Sequence, residues 1–214
     1  METEVKENLT ESRSNNNLLR FILIIGISSA VGGIIAGMGV IWGTYLYSIV
    51  NYGIIDIIIF SVWGAIGGLS VGVAIKKDKL LLTLLGGIGF GIGTIVSGFL
   101  DALSFNVWSS GIGVAGIIFG LFEGIALGFY YRTSKFIGIL TICGVVGFGV
   151  AGIIGILTYK ITLGIVSSII SNDLLSGLIM SIISFMVTGL IGGAALGYSI
   201  YYIEKFSSAG GTLG

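Results

Sequence analysis

The chain contains no proline and no histidine, and its 214 residues include a single cysteine, Cys143. Each absence removes a class of chemistry. One cysteine forbids an intramolecular disulfide, and without histidine there is no Cys/His zinc site. A Ser-His or Cys-His catalytic unit within the chain is excluded as well. Charge is also scarce. Only 9% of residues are charged, against roughly 25% in soluble domains. Lysine plus arginine balance aspartate plus glutamate, so no bulk field draws the chain toward nucleic acid. No basic patch with interleaved aromatics offsets that, so nucleic-acid binding is not expected. Few carboxylates converge in sequence to hold a hard cation. No metal, cofactor or enzymatic activity is implied.

What is abundant is apolar sequence. Hydrophobic residues make up 55% of the chain, too many to bury in a soluble core with the polar residues left to cover it. A helix needs about 20 mostly apolar residues to cross a bilayer. Six segments qualify: roughly 19–47, 54–75, 80–100, 111–131, 136–158 and 176–203. Residues 161–171 are too short to span and are expected as an interfacial helix or re-entrant segment. Residues 1–17, METEVKENLTESRSNNN, read as a disordered polar tail rather than a signal peptide, and residues 206–214 as a flexible C-terminal tail. Residues 18–205 then form one transmembrane domain.

Orientation follows from basic residues in short loops. Lys6, Arg13, Arg20, Lys76, Lys77, Lys79, Arg132, Lys135 and Lys205 fall on one side, and only Lys160 on the other. Both termini are therefore expected in the cytoplasm of a multi-pass cell-membrane protein. Tyr130 and Tyr131, with Tyr201 and Tyr202, flank the basic side as an interface belt. Tyr45, Tyr47 and Tyr52 do so opposite.

Glycine is the second abundance, at 38 residues. Three GxxxGxxxG stripes recur at Gly64-Gly68-Gly72, Gly120-Gly124-Gly128 and Gly189-Gly193-Gly197. Looser stripes mark the alternate spans: Ser29-Gly33-Gly37, Gly89-Gly93-Ser97 and Gly147-Ala151-Gly155. Residues four apart share a helix face, and a face without side chains lets another backbone approach closely. Basic loop residues match as well, Lys76 with Arg132 and Lys79 with Lys135. The expected fold is an all-α membrane bundle of six transmembrane helices, built as three tandem two-helix hairpins. Two GxGxxG matches, at Gly111 and Gly147, lie within spans and are assigned to packing rather than to a dinucleotide.

Carboxyl groups inside spans are costly and are candidate sites by default. Asp56 and Asp101 lie near the outer ends of spans two and three, where water solvates them or where they line a cation-attracting vestibule. Glu123 differs, standing near the middle of span four. It lies about 60° around the helix from Gly120, beside the stripe, and is expected to face protein. Two readings follow. Either Glu123 is a neutral acid hydrogen-bonded across helices, to Ser70, Thr94 or Ser97, or it is an internal binding site for a proton or cation. The corresponding functions are a small permease or channel-like component for an ion or small solute, and a non-transporting scaffold or subunit. The scaffold would meet a membrane-protein partner, or itself in a homo-oligomer, through its glycine faces. The lipid bilayer is the partner common to both.

Overall fold

A computed structural model of the chain describes residues 18–39, 52–76, 78–102, 111–130 and 134–208. The predicted tail of residues 1–17 lies outside the described residues, as do 209–214 of the tail expected at 206–214, and Tyr45, Tyr47, Lys77, Tyr131 and Arg132; residues 206–208 end the last helix. Six helices make up what is described: α1 (Leu18–Gly39), α2 (Tyr52–Ile75), α3 (Lys79–Ala102), α4 (Gly111–Tyr130), α5 (Ser134–Ile169) and α6 (Asp173–Ser208). Five of them, all but α4, are long and apolar enough to cross a bilayer. α4 is a 20-residue helix with an apolar stretch over Gly116–Ile125. This architecture is compatible with an integral membrane protein.

The helices form a closed ring in chain order. α1 touches α2 where Gly32 meets the Trp63 side chain and Gly39 meets Ile59. α2 packs on α3, α3 on α4, α4 on α5 and α5 on α6. The ring shuts where α6 returns to α1: Gly189 lies on the Ser29 carbonyl and Gly33 on the Phe185 carbonyl. Successive contacts run antiparallel. Gly64 meets Gly86 while Gly68 meets Leu82, so one number climbs as the other falls.

Glycine sets the closest of these approaches. A methyl group at Gly64 would strike the Gly86 carbonyl, and one at Gly86 would strike the Gly64 carbonyl. Gly120 and Gly144 form the equivalent pair between α4 and α5. On α6, a methyl at Gly193 would sit 2.7 Å from the Ile25 oxygen, and one at Gly197 2.8 Å from the Phe21 oxygen. Gly124 abuts the backbone of Thr141. Gly72 is buried on α2, and Gly128 occupies the third turn from its stripe's start on α4. Between helices in lipid the hydrophobic effect gives no drive, so these contacts must hold by van der Waals packing.

Aromatic rings fill the middle of the ring of helices. Trp63, Phe90, Phe119, Phe148 and Phe185 come from α2 to α6 in turn, and all are buried. Phe90 and Phe119 lie 4.7 Å apart between centroids, as do Phe119 and Phe148. Trp63 lies 5.0 Å from Phe90 and 5.4 Å from Phe185. The contact of Phe90 with Phe148, at 6.3 Å, joins α3 to α5 past α4 and so places the rings on the axis. Such pairs contribute about 0.5–1.5 kcal/mol each beyond their buried area. The Trp63 indole N–H also donates to the Ser29 carbonyl at 3.0 Å, tying α2 to α1.

One expectation is corrected. Residues 161–169 are neither a separate interfacial helix nor a re-entrant segment; they continue α5, which runs 36 residues unbroken. No proline interrupts it, and three hydroxyls of its later part bond within the helix. Thr158 donates to the Ile154 carbonyl, Ser167 to Leu163 and Ser168 to Ile165. α6 is also longer than its expected span, at 36 residues, and its start is capped by Asn172, whose side-chain oxygen accepts from the Leu175 N–H at 3.0 Å. At 1.5 Å per residue each helix is about 54 Å long, well beyond the ~30 Å hydrocarbon layer. Ile142, Val146, Val150, Ile153 and Leu157 form an exposed apolar stripe on α5, as a lipid-facing surface requires.

The α2–α3 contact yields a graded test. Gly68→Ala would strike the Leu82 backbone carbonyl, whereas Gly67→Ala meets only the far rim of the Phe119 ring at 3.2 Å. Thermal unfolding in detergent should show Gly68→Ala losing on the order of 1–3 kcal/mol, the usual cost of overpacking, with a clearly smaller loss for Gly67→Ala. Equal losses would contradict the backbone contact.

Candidate functional site

Glu123 stands on α4, twelve residues after Gly111, which is about 18 Å along the helix axis. Its side chain is fully buried, with 0% exposure. The glycine stripe of α4 turns to α5 through Gly120 and Gly124, and Glu123 turns from that seam toward α2 and α3. A methyl group at Gly68 would lie 2.8 Å from its Oε1, and one at Gly86 would lie 2.9 Å from the same atom. The carboxyl thus sits on bare backbone from two helices, over the crossing those glycines make.

Neither Oε1 nor Oε2 has a hydrogen-bond partner among the described residues. Two of the three hydroxyls expected as partners are otherwise engaged. Ser70 donates to the Gly67 carbonyl at 2.6 Å, and Thr94 to the Phe90 carbonyl at 2.8 Å. Ser97 is buried on α3. Thr141 Oγ1, on α5, is a third buried side-chain atom without a partner among the described residues.

The other two candidate carboxylates do not join Glu123. Asp56 is half-buried in the second turn of α2, twelve residues before Gly68, which is about 18 Å along the axis. Asp101 is the penultimate residue of α3, fifteen residues beyond Gly86. Both lie toward the end of the bundle opposite the α2–α3 turn, where Lys76 and Asp78 adopt positive φ. Among the described residues no three His, Cys, Asp or Glu side chains gather to hold a metal ion.

Sequence reasoning missed Gly86 and the carbonyls around it. α3 carries glycine on two faces: Gly86 meets α2, while Gly89 meets Phe119 and Phe122 of α4. Only the second face belongs to the stripe that begins at Gly89. The doublet Gly86-Gly87 was the signal for the first. α5 repeats the pattern, with Gly144 toward α4 and Gly155 toward Ser184 and Thr188 of α6.

No protein-family model matches the chain, and no match is found among curated proteins or among solved structures.

A buried polar group without a partner costs roughly 1–3 kcal/mol. Glu123→Met keeps the length of the side chain and removes that cost. At a pH high enough to ionise the carboxyl, the variant should unfold in detergent at or above the parent's midpoint. A midpoint several degrees lower at that pH would show that the carboxylate finds a donor inside the bundle.

Proposed function

We propose that this chain is a multi-pass cell-membrane carrier for an ion or small solute, with Glu123 as its internal site. The observation that carries the reading is the enclosed carboxyl whose two oxygens find no partner among the described residues. A group placed there only to join helices would be expected to have a partner, because an unmade bond in a low-dielectric interior is costly. A ligand that binds at the carboxyl accounts for the cost. The five rings on the bundle axis favour a carrier over an open pore along that axis.

The same proposal includes three tandem hairpins and cytoplasmic termini. The repeat is supported by partner spacing: Gly64 meets Gly86, Gly120 meets Gly144 and Gly189 meets Ser29, at matching places in successive helix pairs. The orientation is supported by the nine-to-one distribution of basic residues, and by Phe21 lying beside Gly197, which puts the start of α1 and the later part of α6 at one end. The reading is non-enzymatic. Asp56 and Asp101 serve as outer-end charges that attract cations toward the bundle.

The filled axis also favours a second reading, a non-transporting subunit that assembles with a membrane-protein partner or with itself. The glycine faces that would serve it are occupied within the chain: Gly64 and Gly68 by α3, Gly120 and Gly124 by α5, Gly189, Gly193 and Gly197 by α1. A partner must then meet the outer apolar faces.

Proteoliposomes loaded with pH- and sodium-sensitive dyes separate these readings. The carrier reading expects ion flux from the parent and at least a tenfold loss in Glu123→Gln. Unchanged flux in a folded Glu123→Gln protein would overturn it. Purification with a stoichiometric partner and no flux would support the second reading.

A further inference from the structure

We propose that the ligand of the Glu123 site is a proton, held between the carboxyl and the backbone carbonyl oxygens of Gly64 and Leu82 at the α2–α3 crossing. This rests on reading Glu123 as a binding site and names what it binds. The geometry is specific to the two bare glycines. The missing methyl position at Gly68 touches the Leu82 carbonyl oxygen and lies 2.8 Å from Glu123 Oε1. The missing position at Gly86 touches the Gly64 carbonyl oxygen and lies 2.9 Å from the same Oε1. Oε1 and the two carbonyl oxygens thus border the same two bare positions, and the carbonyl oxygens are acceptors.

An ionised carboxylate is acceptor-only and needs donors. None reaches it among the described residues. The Ser70 and Thr94 hydroxyls give their hydrogens to their own helices. Backbone N–H groups of a helix interior are committed to the i−4 carbonyls. Facing carbonyls with no proton between them, a carboxylate meets only oxygen. The neutral acid reverses this, because its O–H donates to a carbonyl, and each carbonyl keeps a second lone pair for that bond. Protonation adds one proton to one carboxyl oxygen and removes one charge from the interior. Release reverses both.

A metal cation fits the same surroundings poorly. A hard divalent ion takes about six to eight oxygens. Here one carboxyl and two helix carbonyls border one crossing, and among the described residues no three His, Cys, Asp or Glu side chains gather.

Among the described residues no other charge is placed beside the site. On α2, Tyr52 and Asp56 lie toward the far end, and Lys76 and Asp78 lie in the turn beyond. Lys79 is exposed at the start of α3, seven residues before Gly86, and Asp101 ends that helix. On α4, Tyr130 is seven residues past Glu123; seven residues is about 10 Å of helix. On α5, Lys135 begins the helix, Cys143 is half-buried beside Gly144, and Tyr159 and Lys160 are exposed far along it. The carboxyl thus faces glycine backbone and apolar side chains.

Infrared spectroscopy of the full-length protein in lipid bilayers reads this state directly. The parent should show a carboxylic C=O band that shifts in D2O and on carbon-13 labelling of glutamate. The band should vanish in Glu123→Gln and fade as pH is raised. Exchanging sodium for potassium, or adding calcium or magnesium, should leave it in place. Absence of any such band at every pH where the parent is folded would overturn the proposal. So would a band that sodium or a divalent ion removes at constant pH. If Glu123→Gln fails to fold, loss of the labelled band in Glu123→Met assigns it to Glu123 among the six glutamates. Ion flux measured on the same vesicles separates the two levels. A band without flux keeps the proton site and removes the carrier reading. Flux without the band removes the proton.

Discussion

Backbone lying directly on backbone at Gly64, Gly68 and Gly86 is the constraint from which the rest of the site follows. Two helices brought that close leave a shallow notch where side chains would otherwise stand. α4 packs across it and fills it with Glu123. Any side chain at Gly68 or Gly86 would push the helices apart and also occupy the place where the carboxyl oxygen rests. Close packing and the site are therefore one arrangement. In a bilayer, where lipid tails are as apolar as leucine, van der Waals contact of this kind must supply what the hydrophobic effect supplies in water.

Within the three GxxxGxxxG stripes of the sequence, Gly67 and Gly192 correspond to Glu123. Gly67 is covered by the rim of the Phe119 ring, and Gly192 by the ring of Phe148. Phe119 and Phe148 also touch one another, 4.7 Å between centroids, within the aromatic group on the axis. Gly67 and Gly192 thus make room for rings, while Glu123 carries its own side chain to the crossing at Gly68 and Gly86. Among the described residues it is the one buried acidic or basic side chain, in an interior that also holds serine and threonine hydroxyls.

Much of the fold was legible because membrane helices announce themselves by length. The 24-residue α2 and α3 match their expected spans within two residues at each end. The extension of α5 was not legible, because Thr158, Ser167 and Ser168 lower the local hydropathy and look like a break. Their hydroxyls bond to carbonyls of the same helix, so the polarity is satisfied without ending it. Glu123 was legible as a lone carboxyl deep in an apolar run. Its surroundings were not, since which face of α3 meets α2 depends on the choice between Gly86 and Gly89, residues only three apart. The expected bond to Ser70 or Thr94 failed for a related reason: short hydroxyl side chains in helices turn back to their own carbonyls. Asp56 and Asp101 looked like members of a site and lie apart from it, because distance along the helix separates them from the crossing.

The central claim is that the Glu123 carboxyl lies against the bare Cα atoms of Gly68 and Gly86. Solid-state NMR on protein in bilayers, with glutamate labelled at Cδ and glycine at Cα, measures that contact as dipolar coupling. A strong Glu–Gly coupling that disappears in Glu123→Gln is the predicted result. Coupling of the Glu123 carboxyl to water or to lipid chains, with none to glycine Cα, would contradict it.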